Sequence, residues 1–159
     1  MKQTMKQTMK QTMKTKENKR IVNFSPTAKQ FQAWEYLNDD ETTEVGYGGG
    51  AGGGKSYLGC VWITTGALSK PDTGWVIGRK ELNNLKRTTV LTLFKVFEEF
   101  GITPAMYNYN QQNNIITFAN KSQIFLFDLA YKPSDPLYTR LGGLEVTGAF
   151  IDESNGVSL

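Results

Sequence analysis

Six of the seven residues from Gly48 to Gly54 are glycine, and Lys55 and Ser56 follow directly. Ordering so much free backbone costs entropy, and a fold keeps it where the backbone itself must do chemistry. Gly49, four further residues, Gly54, Lys55 and Ser56 match the spacing G-x-x-x-x-G-K-[ST] of a phosphate-binding loop. Gly49, Gly50, Ala51, Gly52, Gly53 and Gly54 let successive N–H groups point inward as an anion nest, at the start of a helix whose dipole also favours negative charge. A triphosphate is the natural occupant. Lys55 is then placed to reach the β- and γ-phosphates, and the Ser56 hydroxyl to bind magnesium. The plain alternative is a flexible glycine linker followed by a lysine.

Context favours the loop. Upstream, "SPTAKQFQAWEYL" predicts a short amphipathic helix with Ser25 at the N-cap, Pro26 at the first helical position, and Phe31, Trp34 and Leu37 on one face. Thr42 to Tyr47 reads as a strand, the glycine run follows, and Lys55 to Leu68 has the length and apolar face of a helix. "GWVIGRK", residues 74 to 80, is a second short strand. A long helix is expected from Glu81 to about Phe100, with Leu82, Leu85, Leu93, Val96, Phe97 and Phe100 as buried candidates. "NNIITFAN" and "SQIFLFDL" alternate around Asn120 and Lys121, the pattern of a hairpin. Alternating strands and helices predict an α/β fold with a largely parallel sheet and one antiparallel hairpin.

A second chemical signal closes "VTGAFIDES", where an apolar strand ends in Asp152 and Glu153. Behind a phosphate loop, such an aspartate holds magnesium, directly or through water, and such a glutamate polarises the attacking water. On its own the pair is also an ordinary solvated strand end. Gln30 presents an amide able to read an adenine edge, or simply faces solvent. Arg79 and Lys80 end the second strand, where open α/β sheets bind ligands, or form a surface pair. Arg140, twelve residues before Asp152, fits an arginine finger or a loop salt bridge. Cys60 has no histidine in the chain to activate it and reads as a core residue.

The 159 residues make about one domain. No apolar run approaches the roughly 18 residues of a membrane helix. One cysteine and no secretory leader predict an intracellular, reducing setting. The net charge of +3 divides unevenly: residues 1 to 20 hold six lysines and Arg20 against Glu17, so residues 21 to 159 are net acidic. This basic tail repeats MKQT three times and is too poor in apolar residues to offset ordering, so it is expected to be disordered. It reads as a basic arm for nucleic acid or as a repeat-expanded leader with alternative starts.

Together, "GYGGGAGGGKS", the preceding "SPTAKQFQAWEYL", "VIGRKELNNLKRT" and "RLGGLEVTGAFIDES" resemble the N-terminal ATPase domain of the large terminase subunit of tailed bacteriophages, over residues 24 to 159. The resemblance implies a P-loop NTPase three-layer sandwich, incomplete at the C-terminus. Gln30 takes the place of the adenine-recognition motif, Gly49 to Ser56 that of the Walker A loop, and Asp152 and Glu153 those of the Walker B acid and catalytic glutamate. Arg140 matches, more loosely, an arginine finger acting on a neighbouring subunit's ATP. The implied activity is magnesium-dependent ATP hydrolysis that drives double-stranded viral DNA into proheads, in the cytoplasm of a bacterial host. The implied partners are the portal protein, the small terminase subunit and further copies in a ring. Large terminases continue beyond this point into more of the ATPase core and a nuclease, so the chain is expected to be a fragment or incomplete product. A non-catalytic nucleotide-binding remnant and a RecA- or helicase-like DNA translocase are the alternatives.

Overall fold

The computed structural model describes residues 9–15, 18–50, 52–137 and 139–154, with side chains described from Phe24 onward. The backbone of β1 (Met9–Thr15) runs antiparallel to β2 (Asn18–Phe24), over much of the tail whose composition predicts an unstructured arm. Phe24, at the end of this ribbon, is buried against Trp34, with ring centroids 5.4 Å apart.

Helix α1 (Ala28–Leu37) starts two residues later than the Ser25–Pro26 reading. Thr27 is the N-cap, because only Thr27 with Gln30 closes a capping box. The Gln30 N–H donates to Thr27 Oγ1 (3.3 Å) and the Thr27 N–H donates to Gln30 Oε1 (2.9 Å).

Thr42 to Tyr47 does not form the expected strand. Within it Val45 and Tyr47 pack against the core, and both are half-buried. A segment carrying Glu44 and Gly46 gains too little from burial to order a ladder without a neighbouring strand. Helix α2 (Lys55–Ser69) then rises from the glycine loop as expected.

A five-stranded sheet follows, built from β3 (Gly74–Arg79), β4 (Tyr107–Asn110), β5 (Ile115–Phe118), β6 (Gln123–Asp128) and β7 (Gly148–Ile151), in the spatial order β4-β5-β6-β3-β7. β3 pairs in parallel with β6 and β7, whereas β4, β5 and β6 form an antiparallel meander. The predicted hairpin is β5–β6; β4 is an addition that the alternating pattern did not signal.

The long helix expected from Glu81 is two helices, α3 (Leu82–Arg87) and α4 (Thr89–Glu99). They part at Thr88, whose φ of −128° and ψ of −74° are not helical. Thr88 and Thr89 are β-branched residues whose hydroxyls compete for backbone partners; Thr88 Oγ1 donates to the Asn84 carbonyl (2.8 Å).

Packing joins α2 and α4 to one face of the sheet. The added Cβ of Gly59 or Gly66 would run into Phe150 or Trp75, so both glycines permit a close helix–sheet approach. Phe97 of α4 is wholly buried, its ring 5.1 Å from Tyr107 and 5.5 Å from Phe118. Burying one such side chain contributes about 1.5–3 kcal/mol. Among the described residues no helix is long and apolar enough to cross a membrane.

Candidate phosphate-loop site

The glycine loop adopts backbone that most residues avoid. Gly49, Gly52 and Gly54 have φ of +151°, +81° and +69°. Gly54 is the N-cap of α2 in the left-handed region, so the N–H groups of the helix start face the loop without a capping side chain. The Gly50 carbonyl accepts from the Gly53 N–H at 3.3 Å, which turns the loop back on itself. Ala51 lies outside the described residues. Lys55 Nζ bridges the carbonyls of Gly49 and Gly50, at 2.8 Å each, and so lies folded over the loop mouth where an anion would neutralise it.

Gln30 joins helix α1 to this loop. Its Nε2 donates to the Gly54 carbonyl at 3.1 Å while its Oε1 accepts from Thr27, and the side chain is buried. Each end of the amide retains one further hydrogen-bonding position. A cleft of about 380 Å³ opens beside it, lined by Thr27, Lys29, Gln30, Tyr47 and Gly52 to Gly54. Tyr47 is not among the residues that the sequence alone singles out, because one tyrosine before a glycine run carries no distinguishing pattern. Its hydroxyl donates to the Gly53 carbonyl at 3.4 Å.

The acidic pair comes from the opposite end of the chain. Asp152 follows β7, and its N–H donates to the Gly78 carbonyl at 2.9 Å, extending the parallel register with β3. Asp152 is 5% exposed, and its carboxylate reaches Ser56, 96 residues earlier, whose Oγ lies 3.1 Å from both carboxylate oxygens. Thr89 Oγ1 donates to Oδ2 of the same group. Arg79 Nη1 stands 3.9 Å from that oxygen and donates to Thr88 Oγ1, while its Nη2 donates to Glu153 Oε2. Glu153 is mostly exposed and has a φ of +55°, a left-handed turn immediately after the strand. Arg79 therefore engages the acids directly, and Lys80 beside it is exposed. Thr88 and Thr89, like Tyr47, are not singled out by the sequence alone although they contact this cluster, and the Thr-Thr step inside a helical pattern is the signal that marks them.

The donor set suits magnesium. A hydroxyl and a carboxylate converge as hard oxygen ligands, and this cation is ordinarily held by one or two protein oxygens together with phosphate and water. No cluster of three or more His, Cys, Asp or Glu side chains is found among the described residues. Cys60 is wholly buried, and burial first, then the charge of Asp152, pushes its thiol pKa far up, so it is a core residue as expected. Arg140 lies in a 3₁₀ turn, Thr139–Leu141, and its side chain lies outside the described residues.

A glycine loop leading into a helix, facing an acid at the end of a parallel strand, is set in an α/β fold with a mixed five-stranded sheet. No protein-family model matches the sequence, and no curated protein matches it. Among solved structures, the fold is shared with the large terminase of a thermophilic bacteriophage. One crystal form of that protein aligns over 82% of this chain with a TM-score of 0.57 and 18% identity. Another, in complex with ADP, aligns over 84% with a TM-score of 0.60 and 17% identity. The chain spans about a third of that protein's length, 33% in both comparisons. At this identity the likeness establishes a terminase ATPase-like fold.

Proposed function

We propose that the chain is the nucleotide-binding part of an ATP-hydrolysing motor that moves double-stranded viral DNA into proheads. The observation that carries this reading is the meeting of Ser56 and Asp152 at the mouth of a glycine loop, across 96 residues of sequence. In this reading the loop amides and Lys55 bind the phosphates, with Lys55 exchanging its two carbonyl partners for phosphate oxygens. Gln30 offers its remaining donor and acceptor to an adenine edge, and Tyr47 borders the cleft that would take the base. Ser56 and Asp152 would hold magnesium, which supplies charge neutralisation at the β- and γ-phosphates. Glu153 accepts a proton from, and orients, the attacking water. Arg140 is assigned to the ATP of a neighbouring copy in a ring around DNA. The portal protein and small terminase subunit are the other partners of this reading, set in the bacterial host cytoplasm.

A second reading, nucleotide binding without turnover, draws on one observation: the Glu153 carboxylate is engaged by Arg79. Comparing ATP hydrolysis by the wild-type chain and Glu153→Gln decides between them. Loss of a general base lowers the rate by about 10²–10⁴-fold, with nucleotide affinity retained. Equal, measurable rates in the two proteins remove Glu153 from catalysis, whereas no turnover in either, with nucleotide still bound, leaves the binding reading standing.

A further inference from the structure

We propose that Thr89 is a positioning residue that fixes the rotation of the Asp152 carboxylate for the cation bound with nucleotide. This rests on the magnesium-nucleotide reading of the site and adds a residue to it.

The terminal torsion of an aspartate is broad and nearly two-fold, so a carboxylate meant to face one partner needs a fixed donor on its other side. Ser56 does not supply that fixity, because its single hydroxyl proton is shared at 3.1 Å from both oxygens. Arg79 does not supply it either, since it stands 3.9 Å from Oδ2 and makes its closer contacts with Thr88 and Glu153. Thr89 is wholly buried, and its hydroxyl donates to Oδ2 alone of the two carboxylate oxygens. That contact distinguishes the two oxygens: Oδ2 takes Thr89 as well as Ser56, and Oδ1 takes Ser56.

The break between α3 and α4 is what makes this contact. Thr88 leaves the helical path, and the two neighbouring hydroxyls serve different groups: Thr88 receives Arg79, and Thr89 reaches Asp152. Thr88 thereby anchors the arginine that holds Glu153, and Thr89 pins the carboxylate next to it.

The test is ADP titration into the 159-residue chain, with and without magnesium, for wild type, Thr89→Val, Thr89→Ala and Thr89→Ser. Far-UV circular dichroism identifies the variants that fold. In the wild type, magnesium strengthens ADP binding. Outer-shell partners of a metal site are worth about 10–100-fold in metal affinity, so a folded Val or Ala variant loses about that much of the magnesium-dependent gain. Its magnesium-free affinity stays at the wild-type level, and Ser restores the gain.

A folded Val or Ala variant with the full magnesium gain overturns the proposal. So does one whose magnesium-free affinity falls in the same proportion, since that is the mark of a merely structural residue. Should neither variant fold, Thr89→Ser carries the test, and its loss of the gain overturns the proposal. A wild-type chain whose ADP affinity ignores magnesium overturns the functional reading itself, and this inference with it.

Discussion

Gly54 is under two constraints. Its φ of +69° lies in the left-handed region, where a side chain costs about 1–2 kcal/mol. An added Cβ would also stand 2.3 Å from Gln30 Nε2. Gly54→Ala is therefore expected to destabilise the fold by about 1–2 kcal/mol and to expel the Gln30 amide from its carbonyl partner. A urea unfolding curve reads this as a lower midpoint with an unchanged slope; an unchanged midpoint would show that the loop relaxes around the new methyl group. This requirement is legible in the sequence as the last glycine of a G-x-x-x-x-G-K-[ST] pattern. What the pattern does not carry is the reason supplied by Gln30, 24 residues away. The same limit applies to the acids. Asp152 and Glu153 are readable as a pair at a strand end, but their engagement by Arg79 and Thr89 depends on which strand lies beside which.

At the scale of elements, the boundaries follow side-chain chemistry more closely than periodicity. Ser25 and Pro26 have the composition of a helix start, yet Thr27 with Gln30 satisfies two otherwise unpaired N–H groups reciprocally. Thr27→Ala should cost about 1 kcal/mol of stability, measurable as a fall in thermal midpoint. The Gln30 N–H loses its Oγ1 acceptor in that variant, while Gln30 Oε1 keeps its donor, which is the backbone N–H of residue 27. No change in midpoint would argue that Ser25 takes over as the cap. The split between α3 and α4 is invisible to the apolar pattern, since Leu85 and Leu93 stay wholly buried on either side of it. Thr42 to Tyr47 shows the opposite failure. Its composition suggests a strand, but a strand exists only by pairing, and among the described residues no neighbour pairs with it.

For the whole molecule, the strand order β4-β5-β6-β3-β7 is the feature that makes a site possible. It places the ends of β3 and β7 side by side, so that Arg79 meets the acids after β7 and Asp152 reaches Ser56 at the start of α2. Fold class is readable from the alternation of elements and from the hairpin at Asn120 and Lys121. The neighbour relations are not, because they depend on contacts between residues far apart in the chain. The same holds for function: the loop and the acid are local patterns, whereas a nucleotide site is their conjunction.

Calorimetric titration of ADP with magnesium into the wild-type chain and Lys55→Ala asks whether loop and acid together bind nucleotide. A hydrogen bond to a charged group is worth about 1.5–3 kcal/mol, which corresponds to about tenfold or more in affinity. Saturable binding to the wild type is expected, weakened by at least about that factor in Lys55→Ala. Equal affinities for the two proteins, or no binding to a folded wild-type chain, would mean that loop and acid do not form a nucleotide site.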